Sequence, residues 1–212
     1  MAVLTGNSQK KEVYEIFWMV RIIGIIRRLS SWRSYVIITS LFLLSFYAAT
    51  GRPFGTRELA AFTGGLEVPD LSFGYTPLSV YSLIDTYGQT GRDFWLSSIL
   101  PLDSVFSMCY LLFFAITLSS LLRYLYPYRE ELQGLVIIPV IGGISDIIEN
   151  LCFVAVLLLY PVQYPQIVIF ASVFTKLKFV SNISTMLLII ITLILAALET
   201  GKKLIARRND TL

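Results

Sequence analysis

Asp146, Glu149 and Asn150 stand at i, i+3 and i+4, so on a helix two carboxyls and an amide leave from one face. Such a carboxyl pair can act as general acid and base, or hold a hydrated divalent cation. Lys178, Ser181, Asn182 and Thr185 repeat the spacing later in the chain and add a base and a second amide. Asp103 is a third acid. These residues matter because of what surrounds them. Residues 135–159 form an apolar run, and a bilayer core needs about 20 apolar residues as helix. A central Asp in such a helix costs roughly 2.5–3.5 kcal/mol on insertion scales, so something must offset it.

The composition agrees with a membrane setting. Of 212 residues, 56% are hydrophobic and only 15% charged, against about 45–50% and about 25% in soluble domains. The expectation is a multi-pass integral membrane protein, placed in a plasma (inner) membrane, with one compact helical domain. The chain has no histidine, which removes the commonest general base and the commonest zinc and haem ligand. Cys109 and Cys152 fall in different apolar runs without a CxxC partner, and read as packing residues.

The fold class expected is all-α: a four-transmembrane-helix bundle. The spans are predicted at about 34–50, 94–122, 134–160 and 166–198, within a membrane domain covering 34–199. Residues 1–33 precede it and carry an amphipathic interfacial helix over 13–29, with Arg21, Arg27 and Arg28 toward its polar side. A basic tail covers 200–212. Lys and Arg cluster before the first span, at Arg123 and Arg129, and after the fourth span. The positive-inside rule then puts both termini in the cytoplasm and the 51–93 loop outside. Within that loop Thr76–Pro77 reads as a helix start. Val80, Tyr81, Ile84 and Tyr87 follow at helical spacing, and Gly88 is placed to end a short outer-surface helix. A turn over 88–91 is expected before Arg92.

Helical rise carries the argument to depth. At about 1.5 Å per residue, Asp103 lies about 14 Å into span two, Asp146 about 18 Å into span three and Lys178 about 18 Å into span four. The acids and the lysine are expected to meet near the midplane, with Lys176 on the opposite face of its helix. Gly142–Gly143 allows close approach of a neighbouring helix. Pro101 and Pro139 are expected to kink spans two and three. One lysine cannot neutralise three ionised acids, so a carboxyl is neutral, Arg92 reaches down from the rim, or a cation is bound.

Several of these residues also resemble a known pattern. Tyr75, Gly88-x-x-Gly91-Arg92, Asp103-x-x-Phe106-x-x-x-Tyr110, Asp146-x-x-Glu149-Asn150 and Thr175-x-x-Lys178 resemble the motifs of an uncharacterised family of small four-span prokaryotic-type membrane proteins. The resemblance implies four spans and the same polar residues, and no activity. Ser107 stands where such proteins often have proline.

Three function classes remain open. The first is a site for a small ligand, lipid or ion, proton-linked if a carboxyl titrates, built from Arg92, Asp103, Asp146, Glu149, Asn150, Lys178 and Asn182. The second is an intramembrane enzyme acting on a lipid or isoprenoid, with Asp146 or Glu149 as acid or base. The third is a structural or assembly subunit, in a homo-oligomer or with a partner membrane protein. The sequence names no cofactor and no metal. Nucleic acid is not an expected partner, because the basic residues sit where membrane topology already wants them.

Overall fold

The computed structural model describes residues 18–209, apart from the side chains of residues 62 and 207–209. The expectations for residues 1–17 and 210–212 lie outside the described residues. All regular structure among the described residues is helical.

Four helices are long and apolar enough to cross a membrane: Trp32–Thr50, the continuous Pro77–Leu125, Glu130–Leu159 and Pro165–Ala206. They fit an integral membrane protein. In chain order the helices are α1 (18–29), α2 (Trp32–Thr50), α3 (Thr56–Phe62), α4 (Pro77–Phe94), α5 (Leu100–Leu125), α6 (Ile137–Leu159) and α7 (Pro165–Asn209). Helices α5, α6 and α7 pack on one another, and α2 leans chiefly on α5. Phe42 of α2 stacks flat on Phe113 of α5 at 4.7 Å. Helix α1 buries Ile26 against Ile38, Ala115, Ile116, Val136 and Val140.

Helix α4 starts on a capping box: the Thr76 hydroxyl accepts from the Ser79 N–H at 3.2 Å, and the Thr76 N–H donates to Ser79 Oγ at 3.0 Å. Gly88 adopts φ +64°, a left-handed conformation that side chains resist. Its φ/ψ is non-helical, so the expected short helix is interrupted there and a second helical segment follows directly after the kink. Residues 89–91, expected as a turn, are helical, and the chain runs on through one wide turn at Trp95–Ile99 into α5. That wide turn sits just before Pro101. Proline cannot donate to the carbonyl a turn earlier and its ring crowds it, and a π-type turn relieves both. The distortion of span two therefore precedes Pro101. Pro139 does not kink the middle of span three. It lies in the first turn of α6, after a short 3-10 segment at Glu130–Val136, where its missing donor is of little consequence.

Two apolar clusters flank a polar layer. One is built from the 51–100 segment with Phe153, Val156, Leu157 and Val168. The other gathers α1, α2 and the far halves of α5 and α6. Along α5, α6 and α7 the residues between these clusters are 103–110, 142–150 and 171–185, which carry most of the expected site.

Candidate functional site

Lys178 is the centre of the polar layer. Its Nζ lies 2.9 Å from Asp146 Oδ1 and 2.8 Å from Glu149 Oε2. It also donates to the backbone carbonyl of Asp70 at 3.3 Å. Two of its protons are donated in hydrogen bonds, to Asp146 Oδ1 and the Asp70 carbonyl, and Glu149 Oε2 is held as a close ion pair. The remaining oxygens of the two acids are filled by hydroxyls. Ser107 and Tyr110 donate to Asp146 Oδ2 at 2.7 and 3.0 Å. Thr175 and Tyr75 donate to Glu149 Oε1 at 2.6 and 3.0 Å. Lys178, Asp146 and Glu149 are 8%, 4% and 0% exposed. This hydrogen bonding and pairing is what buried charge requires. Acid–base chemistry at Asp146 or Glu149 would first have to break it.

Close helix approach makes the layer compact. A Cβ on Gly142 would stand 2.5 Å from Asn182 Oδ1 and 3.2 Å from Ser181 Cβ, so this glycine admits α7. A Cβ on Gly143 would stand 2.6 Å from Leu111 Cβ, so its neighbour admits α5. Larger residues at these two positions would push Lys178 and Ser107 away from Asp146 on either side.

Asp103 forms the second part of the layer. Its Oδ2 accepts from Asn150 Nδ2 at 2.8 Å, and the same amide lies 3.4 Å from Ser104 Oγ. Among the described residues no lysine or arginine pairs with the Asp103 carboxylate.

The segment 68–75 lies across the layer. Val68 and Pro69 are buried, Phe73 meets Phe179 edge-on at 5.8 Å, and the Tyr75 N–H donates to Ser172 Oγ at 3.1 Å. Gly74, at φ +141°, passes so close to α7 that a Cβ would stand 2.8 Å from Lys176 Cε. Asp70 Oδ1 is buried without a hydrogen-bond partner. Burial pushes the Asp70 carboxyl up to about 7, the Lys178 charge opposing and the Glu149 and Asp146 charges reinforcing. Burial and the adjacent Glu149 likewise raise the Tyr75 hydroxyl above its ordinary range.

A cavity of about 400 Å³ opens beside this layer. Asp70, Asp103, Asp146, Lys178 and Asn182 line its polar end. Aromatic rings form its walls: Phe42, Phe106, Tyr110 and Phe114 from α2 and α5, and Phe179 from α7. Its rim is half-exposed and apolar, with Phe46 on α2, Leu71 on the loop, and Ile183 and Met186 on α7. Spans two, three and four, which carry the expected site residues, all line it. The first span supplies part of its wall as well.

The structure brings together Asp103, Asp146, Glu149, Asn150 and Lys178, with Asn182 against Gly142. It does not bring Arg92. That guanidinium donates to the Ile84 carbonyl at 3.3 Å and lies 4.4 Å over the Tyr160 ring, whose hydroxyl bonds Asp85. Proline-free helix between Gly88 and Phe94 holds Arg92 at that end, so it cannot serve as the missing counter-charge. Lys176 is exposed, on the other face of α7. Asp70, Ser107 and Tyr110 were missed as site residues. An acid flanked by Val68, Pro69 and Leu71 in an otherwise polar loop was the available signal for the first. Among the described residues no group of three or more acids, cysteines or histidines is arranged to hold a metal ion. Compared with protein-family profiles, curated proteins and solved structures, the chain matches none, so the site is read from its own geometry.

Proposed function

We propose that this is a multi-pass membrane protein that binds a small lipophilic molecule, with the ligand entering sideways from the bilayer between α2 and α7. The observation that carries this reading is the cavity itself. It joins the buried Asp/Lys layer to an apolar, half-exposed rim. Its volume lies in the range of small-molecule pockets, about 300–1,000 Å³, and its make-up is theirs: mostly apolar and aromatic walls with a few converging polar groups. In this reading the termini face the cytoplasm and the 68–75 segment covers the site from the outer side, as the placement of Lys and Arg supports.

Native mass spectrometry of the protein released from mild detergent tests it. The wild type should retain one bound small molecule. Phe46→Trp together with Ile183→Trp, which narrows the rim from both sides, should lose it. A wild type that carries no bound mass, under conditions that preserve peripheral lipid, overturns the reading.

A further inference from the structure

Resting on that reading, we infer that the molecule bound in the cavity is an organic cation: a protonated amine or quaternary ammonium on an apolar body. The argument starts from charge. Four acids, Asp70, Asp103, Asp146 and Glu149, gather around one base, Lys178, which is ion-paired to both Asp146 and Glu149 and donates to the Asp70 carbonyl. The carboxyl groups of Asp70 and Asp103 have no basic partner among the described residues, and both line the cavity. Three oxygens of the layer, Asp70 Oδ1, Asn182 Oδ1 and the ion-paired Glu149 Oε2, are buried and accept no hydrogen bond. The polar end therefore offers acceptors and negative charge, and its single cation is already occupied.

The walls make the same selection. Phe42, Phe46, Phe106, Tyr110, Phe114 and Phe179 surround the space in front of these carboxyls. An aromatic face attracts a cation within about 6 Å, most strongly when the pair is desolvated. An inorganic ion such as Ca²⁺ or Mg²⁺ needs six or more oxygens around it, and the apolar walls supply none. An anionic headgroup would meet Asp70 and Asp103 with no free base. A cationic centre held against the rings, with an alkyl or ring body reaching the rim at Ile183 and Met186, satisfies both ends.

Three photoactivatable probes sharing one diazirine-bearing alkyl tail test this in nanodiscs of uncharged lipid. They differ only in the head: trimethylammonium, hydroxyl or carboxylate. The trimethylammonium probe should label peptides carrying Phe46, Phe179 and Ile183 about tenfold above the other two, which corresponds to about 1.4 kcal/mol. Asp103→Asn and Asp70→Asn should each cut that labelling severalfold and leave labelling by the hydroxyl probe unchanged; either variant alone decides the point if the other does not fold. Equal labelling by all three heads, or preference for the carboxylate, overturns the cation and leaves the cavity reading standing. Labelling at these peptides no stronger than at the outward-facing Leu151 and Phe170 overturns both.

Discussion

Lys178 holds together three segments far apart in sequence, and its removal should be felt in all of them. Lys178→Met leaves Asp146 and Glu149 buried without a cation, and breaking a buried pair in this way costs about 3–5 kcal/mol. The variant should lose most of its monodisperse peak in detergent size-exclusion chromatography. Adding Asp146→Asn and Glu149→Gln removes the orphaned charges and should restore much of it. Asp70 gives a pH signature. Burial pushes this carboxyl up from its ordinary 3.8 to about 7, so the folded state holds this proton more tightly than the unfolded one. Stability from Asp70 is then full below about 3.8 and is lost as pH rises through about 7. The groups facing it are Lys178, Glu149, Asp146, Asp103 and the Tyr87 hydroxyl. Thermal unfolding across this window should show Asp70→Asn gaining on the wild type as pH rises. A constant difference would refute the assignment. The i, i+3, i+4 spacing made Asp146, Glu149 and Asn150 legible from sequence. Asp70 was not, because nothing in a loop's local pattern says which helix it will lie across.

At the scale of the element, glycine and proline decide what the helices can do. Gly143 touches Leu111 near its backbone, so Gly143→Ala forces α5 and α6 apart and should cost about 1–3 kcal/mol, as overpacking does. Gly201, in the exposed last turns of α7, has nothing within 4 Å of an added Cβ. Gly201→Ala should therefore stabilise the local helix by roughly 1 kcal/mol. Hydrogen exchange on the two variants separates the cases: faster across 103–115 for the first, slower across 198–206 for the second. Sequence periodicity found the four apolar helices because length and hydropathy alone define them. At Gly88 it anticipated the interruption but not the helix that resumes directly after it, where Tyr87 packs edge-on against Trp95. The distortion before Pro101 falls where a proline frees a carbonyl, about one turn earlier.

The whole molecule is a sandwich of two apolar clusters around one polar layer, and α7 runs through all of it. At 45 residues α7 is about 68 Å long, more than twice a hydrocarbon core of about 30 Å. Its far end therefore extends well past the bundle. Single cysteines introduced at Leu204 and Ile205 should react with a membrane-impermeant maleimide from the cytoplasmic side. Cysteines at Ile190 and Ile191 should not. Reaction at all four positions, or from the opposite side, would contradict the topology proposed above. The convergence of Asp103, Asp146 and Lys178 was legible at this scale because rise per residue places them at one depth. The cavity was only partly legible, because which helix faces a gap depends on how α2 leans on α5.

Residues 160–164 are the whole link between α6 and α7, and Lys178 follows Asp146 by only 32 positions. During synthesis the two acids leave the ribosome before their neutralising partner does. Held alone in lipid, each would oppose partitioning by about 2.5–3.5 kcal/mol. The short link lets both helices pass from the insertion machinery as one hairpin, its internal charges already matched.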